Sequence, residues 1–197
     1  AASNCVLRCW HPDPAAGDGV PCREISADLP CRAHSLVAGF AGGFIVGLAD
    51  GSVEIRGADC ELLSRQEAAH ESAVSTVCCV DGGFVTGDDD GNVICWNEGS
   101  EWTVRWRAKH GGRVVAAQVG CAGIIITGGL DGAIRTWKPE TGDLMFLVPG
   151  NKIWLGSINV SEDNAQMITD GRDNCVYQFD FAKKPDSDES YEELDDE

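Results

Sequence analysis

Histidine, cysteine and clustered aspartate are the side chains of this sequence that could do chemistry. A histidine set beside a threonine and an aspartate could relay a proton from a hydroxyl nucleophile, and His11, His34, His70 and His110 are the candidates. No G-x-S-x-G elbow exposes such a nucleophile, and neither a Walker A loop nor a dinucleotide fingerprint occurs. Cys5, Cys9 and His11 with Cys22 or Cys31 could in principle hold zinc, but the second pair is badly spread for a closed tetrahedral site. The ten cysteines, which also include Cys60, Cys78, Cys79, Cys95, Cys121 and Cys175, contain no Cys-x-x-Cys pair. Most fall inside predicted strands, where a thiol is a small apolar filler, so they are expected to be reduced and structural. Asp88–Asn92 resembles a calcium loop but lacks the bidentate Glu at the twelfth position and the flanking helices, so a hairpin turn is the expectation. These observations imply no enzyme, no cofactor and no metal.

The elements that would position these side chains are short strands. Between His70 and Trp96, the apolar runs Val74–Val80, Phe84–Thr86 and Asn92–Trp96 are separated by Asp81-Gly82-Gly83 and Asp88–Gly91. Gly82, Gly83 and Gly91 would supply the positive φ that tight turns need, which predicts three antiparallel strands joined by hairpins. An Asp followed by a strand with a large residue six places on occurs four times: Asp50 to Arg56, Asp90 to Trp96, Asp131 to Trp137 and Asp173 to Phe179. The steps between these aspartates are 40, 41 and 42 residues. A period near forty with four short strands per unit predicts an all-β propeller of four-stranded antiparallel blades.

With Gly87-Asp88-Asp89-Asp90-Gly91-Asn92-Val93-Ile94-Cys95-Trp96 nearest the consensus, the chain resembles the WD40 repeat family. That resemblance implies a hydrogen-bonded structural tetrad in each repeat: His70, Thr86, Asp90 and Trp96 in the second unit, and His110, Thr127, Asp131 and Trp137 in the third. The set recurs at a fixed offset, which architecture needs and catalysis does not. The first unit departs, with Val46 and Arg56 where Thr and Trp should stand. The last has Thr169 and Asp173 but Phe179, with Gly150-Asn151 near the expected His. Those two blades are expected to lean on packing. The resemblance also implies that partners, proteins or peptides, meet the top face beside the tetrad Asp and just after the tetrad His. Those positions are Ala49, Asp89, Leu130 and Arg172 in the turns, and Ser75, Arg113 and Trp154 near the inner strands.

In Glu101–Arg107, an expected outer strand, period-two alternation puts Trp102, Val104 and Trp106 on one face and Thr103, Arg105 and Arg107 on the other. The indoles would pack between blades; the alternative is a basic side-face contact through Arg105 and Arg107.

The organisation expected is a remnant of a preceding blade with its loop over 1–31, four WD40-like repeats over 32–181, and a disordered acidic tail over 182–197. Asn4–Trp10 reads as a third strand and Pro21–Ile25 as an outer strand of that earlier blade. The chain is therefore expected to be an incomplete propeller of about four to five blades, a piece of a longer one, with a closed small propeller and an arc completed by another chain as the alternatives. It opens on Ala-Ala, no secretory signal is visible, and no apolar run approaches a membrane span. The compartment expected is cytoplasmic or nuclear, with an organelle left open by a presequence already removed. Residues 186–197 carry eight acids and no base; without them the net charge of −17 becomes −9, so general nucleic-acid binding is disfavoured. Two roles follow as expectations: a non-catalytic scaffold in a multi-protein assembly, or an acidic, chaperone-like adaptor holding a basic client of histone or ribosomal-protein type through its tail.

Overall fold

Tight glycine turns and short alternating strands leave each sheet with two faces to cover, and the chain covers them with the next sheet. The computed structural model describes residues 5–12, 22–39, 42–99, 102–149, 155–163, 165–170 and 176–180. Trp154, Arg172, Asp173, the Gly150-Asn151 pair and the acidic C-terminus lie outside the described residues. Strands β1 (Cys5–Pro12) and β2 (Cys22–Leu29) pair first. A four-stranded sheet follows from β3 (Ala33–Ala38), β4 (Phe44–Leu48), β5 (Val53–Arg56) and β6 (Leu62–Gln66). The second sheet has β7 (Val74–Val80), β8 (Gly83–Asp88), β9 (Asn92–Asn97) and β10 (Thr103–Lys109). The third has β11 (Val114–Val119), β12 (Ile125–Gly129), β13 (Ala133–Trp137) and β14 (Leu144–Pro149). A fourth sheet is described through β15 (Ile158–Val160), β16 (Gln166–Asp170) and β17 (Val176–Asp180). All pairings are antiparallel between consecutive strands, so this is the expected all-β propeller architecture.

The forty-residue period is a repeat of backbone geometry. Gly51, Gly91 and Gly132 hold φ of 82°, 90° and 77° in the turn between second and third strands. Each donates its N–H three residues back, to Leu48, Asp88 and Gly129, at 3.2, 3.2 and 3.0 Å. The turn of one sheet also seats the next: His70 N–H reaches the Gly51 carbonyl at 3.0 Å and His110 N–H the Gly91 carbonyl at 2.8 Å. Glycine is required here for space as well as for φ, since a Cβ on Gly91 would lie 2.6 Å from the Gly112 carbonyl oxygen. Gly82 has the expected positive φ of 64°, whereas Gly83 does not share it and opens β8; its glycine is needed because a Cβ would meet the Trp96 carbonyl.

The core lies as slabs between sheets. Ile45, Val53 and Ile55 of the first sheet pack on Val74, Val77, Phe84, Ile94 and Trp96 of the second. Val85, Val93 and Trp106 of the second pack on Val114, Ile125 and Trp137 of the third. Ile126 and Ile134 meet Leu155, Ile158 and Met167 in the next slab. Each fully buried aliphatic or aromatic side chain contributes about 1.5–3 kcal/mol.

Two expectations about side-chain placement are corrected. Trp102 and Trp106 do not share a face. The register of β10 shifts between Val104 and Trp106, and this bulge turns the strand over. Trp102 packs edge-on to Phe84 at 5.0 Å, towards the first sheet, and Trp106 lies 6.3 Å from Trp137, towards the third. Arg105 is drawn into the fold: its guanidinium donates to Asn97 Oδ1 (2.7 Å) and to the carbonyls of Gly82 (2.9 Å) and Pro139 (3.3 Å). The cysteines are not all reduced, because Cys9 on β1 is joined to Cys60 after β5. The bridge also removes Cys9 from any zinc site, and no metal-holding group of three or more ligands occurs among the described residues.

The first sheet does not lean on packing alone. Arg56, standing where Trp was expected, is buried against Glu54, which is 1% exposed. Its Nε reaches Glu54 Oε2 at 2.8 Å, its Nη1 the Cys60 carbonyl at 2.8 Å, and Arg65 then links Glu54 (3.4 Å) to Asp50 (2.9 Å). Removing one member strands a buried charge. Arg56→Met is expected to lower unfolding free energy by about 3–5 kcal/mol, and Glu54→Leu added to it to restore most of the loss. Urea denaturation midpoints of the two variants check this.

Candidate functional site

In the second sheet, alternation along β8 places Thr86 and Asp88 on one face, and both meet His70 in the loop entering β7. His70 Nδ1 lies 2.8 Å from Asp88 Oδ2 and Nε2 2.7 Å from Thr86 Oγ1, while Trp96 Nε1 donates to Thr86 Oγ1 at 2.9 Å. The carboxylate can only accept, so the network assigns the proton of His70 to Nδ1. Thr86 then accepts from Trp96 and donates to Nε2. The carboxylate of this set is therefore Asp88, in place of the expected Asp90. Asp90 sits at the exposed tip of the turn, where its N–H donates to Asp88 Oδ1 (3.0 Å) and Ser72 Oγ (3.2 Å).

The third sheet solves the same problem differently. Gly129 occupies the position of Asp88, and a Cβ there would lie 2.5 Å from both the Asp131 carboxylate and His110 Nδ1. Asp131 enters from the turn but stays 3.5 Å from His110 Nδ1, and Arg135 Nη1 takes that nitrogen at 2.6 Å while binding Asp131 Oδ2 at 2.7 Å. Guanidinium can only donate, so the proton of His110 is assigned to Nε2, which meets Thr127 Oγ1 at 2.7 Å. Trp137 Nε1 donates to the same oxygen at 2.7 Å. The two histidines thus carry opposite tautomers. In the fourth sheet, Asp170 accepts from the N–H groups of Gly156 (3.0 Å) and Ser157 (2.7 Å) beside buried Thr169.

Burial lowers both histidines towards the neutral form. For His70 the neighbouring Asp88 opposes the shift; for His110 the Arg135 charge adds to it and takes the value to about 4. Burial raises Asp131, but the Gly111 N–H, Arg135 and the Ala133 N–H outweigh it and bring the carboxyl to about 2. Burial likewise raises Asp88, and Asn92 and His70 together pull it below its ordinary value. Thr86 and Thr127 are wholly buried. Each hydroxyl is held by an imidazole nitrogen and an indole N–H, so these sets tie the loops entering the inner strands to the sheets.

The turn face offers the accessible residues. Ala49 N–H donates to the Arg32 carbonyl at 2.9 Å, Asp89 N–H to Ala73 at 3.0 Å and Leu130 N–H to Arg113 at 2.8 Å. The three residues thus occupy one place in three successive sheets, each just above an inner strand. Arg113 Nε lies 3.0 Å from Asp89 Oδ1, joining the third sheet to the second, with both side chains substantially exposed. Leu130 is exposed beside them. Ser75 is not free for a ligand, since its hydroxyl is held between the Val114 (2.5 Å) and Gly87 (3.1 Å) carbonyls; Ser35 makes the matching link to Val74 at 3.3 Å. Trp154 and Arg172, expected on the same face, are outside the described residues. Asp88, Arg135, Glu54 and Arg65 are the structural residues that sequence reasoning missed. The Thr-x-Asp spacing on one strand was a readable signal for Asp88; nothing local announced the others.

Comparison with known proteins agrees with this geometry. A WDR54 family profile matches residues 16–196. WD repeat-containing protein 54 of Homo sapiens is 21% identical over 188 residues, which is 90% of this chain and 54% of that protein. The chain thus spans about half the length of that relative. Autophagy-related protein 16 of Arabidopsis thaliana is 34% identical over 56 residues, covering 28% of this chain and 11% of that one. Among solved structures, the WD40 propeller domain of Doa1 superposes with a TM-score of 0.68 at 21% identity, covering 79% of this chain and 52% of that chain. The computationally designed Ika4 protein superposes with a TM-score of 0.68 at 21% identity, over 77% and 92% of the two chains.

Two expected outcomes test the buried sets. Asp88→Ala is expected to lower stability by about 1–3 kcal/mol, and Asp90→Ala by less than about 0.5 kcal/mol, in urea denaturation. Stability is also expected to fall with acidification. Unfolded histidine takes up its proton near 6.5, before folded His110 does at about 4, so the unfolded chain binds more protons across that window. Stability contributed by His110 is present above 6.5 and lost towards 4, by up to about 3 kcal/mol. His110→Gln should flatten that segment of the pH profile.

Proposed function

Because the chain belongs to the WDR54 family of WD40 repeat proteins, we propose that it is a non-catalytic scaffold whose turn face docks protein partners within a larger assembly. The observation that carries this reading is the placement of Ala49, Asp89 and Leu130 by one repeated backbone bond, with the Arg113–Asp89 pair across the boundary between sheets. A rigid row of equivalent turns presents side chains without an ordering cost on binding, and arginine is a frequent source of interface energy. The partner surface comprises Arg113, Asp89, Leu130 and Ala49, to which Trp154 and Arg172 belong by sequence position. Ser75 serves as a link between sheets. Residues 32–181 form the repeats in this reading, and no cofactor or metal takes part. The human relative is named for its WD repeats, and nothing in that name specifies a ligand.

A second reading rests on a separate observation, the eight acids and no base in residues 186–197. In that reading the tail holds a basic client through contacts that salt screens. No helix among the described residues is long and apolar enough to cross a membrane, which says nothing of a strand-built span.

Arg113→Glu places two carboxylates together at exposed positions. It is expected to weaken partner capture at least tenfold, measured by quantitative crosslinking and affinity purification of the full chain, with an unchanged thermal melt. Deletion of 186–197 is expected to leave that capture intact. Loss of capture on the deletion, with strong salt dependence and no effect of Arg113→Glu, would transfer the function to the tail.

A further inference from the structure

The rim of the third sheet differs from the rims before it. In all three four-stranded sheets the outer strand carries a one-residue bulge, at Leu63, Arg105 and Met145. The residue after it is equivalent in each case: Ser64 opposite Ile55, Trp106 opposite Cys95, and Phe146 opposite Thr136. Trp106 is 7% exposed, covered by Trp137 and by the Pro139 carbonyl, which accepts from its Nε1 at 2.9 Å. Phe146 is 63% exposed.

Its neighbours Leu144, Met145 and Leu147 are exposed too, giving four consecutive apolar side chains along β14. Across the bulge, Leu144 and Leu147 stand opposite Trp137 and Arg135 on one face, and Phe146 stands opposite Thr136 on the other, so a partner packed on one face would leave part of this row bare. A strand added in the plane of the sheet, along the outer edge, touches both faces and takes up the edge's hydrogen-bonding groups. Charge separates β14 from the β10 rim, where Arg107 and Lys109 stand exposed, while β14 carries no charge. On β6 the exposed apolar residues are only Leu62 and Leu63, and Arg65 is paired with Asp50 and Glu54. Cations on an edge repel a copy of that edge, whereas an uncharged row is complementary to itself. The chain as a whole is strongly acidic, at net −17, so two copies approach each other with least repulsion along an uncharged strip.

We propose that the outer edge of β14 is a self-association surface, on which β14 of a second copy adds antiparallel about a two-fold axis to make one continuous eight-stranded sheet. The contact is isologous, with Phe146 and Leu147 of each copy against the same segment of the other. It lies three strands outward from Arg113 and β11, so it leaves the turn face open to partners.

Sedimentation of the intact chain tests it. The expected result is a concentration-dependent shift from 21.0 kDa towards twice that mass. Amides of residues 144–148 should gain protection from hydrogen exchange as the dimer fills. Leu147→Lys should raise the dissociation constant at least tenfold with an unchanged circular-dichroism spectrum and melt, and Phe146→Ser, which adds no charge, should raise it in the same direction. Leu62→Lys, on the exposed rim of β6, should leave association as it was. A chain that stays monomeric up to about 0.5 mM overturns the proposal. So does a dimer indifferent to both β14 variants, or a monomer whose 144–148 amides become protected only when a different protein is added.

Discussion

A buried polar group must have its hydrogen bonds made inside the protein, and this constraint shapes the three four-stranded sheets among the described residues. Thr86 and Thr127 are sealed between sheets, so an indole and an imidazole have to converge on each. That convergence pins the loop entering the inner strand to the middle of the sheet. The carboxylate on the far side of the imidazole is less constrained, and the two sheets fill its place by different routes. Asp88 comes from the strand itself; Asp131 comes from the turn and needs Arg135 to complete the site. The first sheet abandons the aromatic solution and satisfies its interior with Arg56, Glu54 and Arg65. Three chemistries thus meet one demand, because the demand is for paired donors and acceptors and not for particular residues.

Packing between sheets supplies the rest. Each slab is made by the two facing sides of neighbouring sheets, and glycine turns fix how closely they approach. The seat formed by Gly51 and Gly91 carbonyls under the next histidine N–H couples the polar sets to the spacing of the sheets. Ser35 and Ser75 repeat that coupling nearer the inner strands, binding the carbonyl of the neighbouring inner strand. The cross-sheet links fall at the same offset each time, which accounts for the period near forty and for its tolerance of a residue more or less in the turns.

The outward-facing residues answer to a different requirement. Arg113 and Asp89 are joined across a boundary between sheets yet keep much of their surface in solvent, where such a pair adds little stability. The surface that a partner could use is therefore separable from the groups that hold the sheets, and variation there costs the fold little. The cations of β10 serve more than one purpose: Arg105 is spent on backbone carbonyls, and Arg107 and Lys109 keep that rim polar. The uncharged β14 has neither feature.

The sequence by itself determined the strand period, the turn glycines and the antiparallel sheet, since alternation and positive φ are local properties that leave local signs. It also located Thr86, Thr127, His70, His110, Trp96 and Trp137, because these residues recur at a fixed offset. It misassigned Asp90, since the consensus spacing favoured the turn while Asp88 had the shorter reach to His70. Only the tertiary structure decided that, together with the bulge at Arg105 that sends Trp102 and Trp106 to opposite slabs, the bridge from Cys9 to Cys60, and the burial of Arg56 with Glu54. Each depends on which distant groups arrive within a few ångströms. Period and composition do not encode that distance.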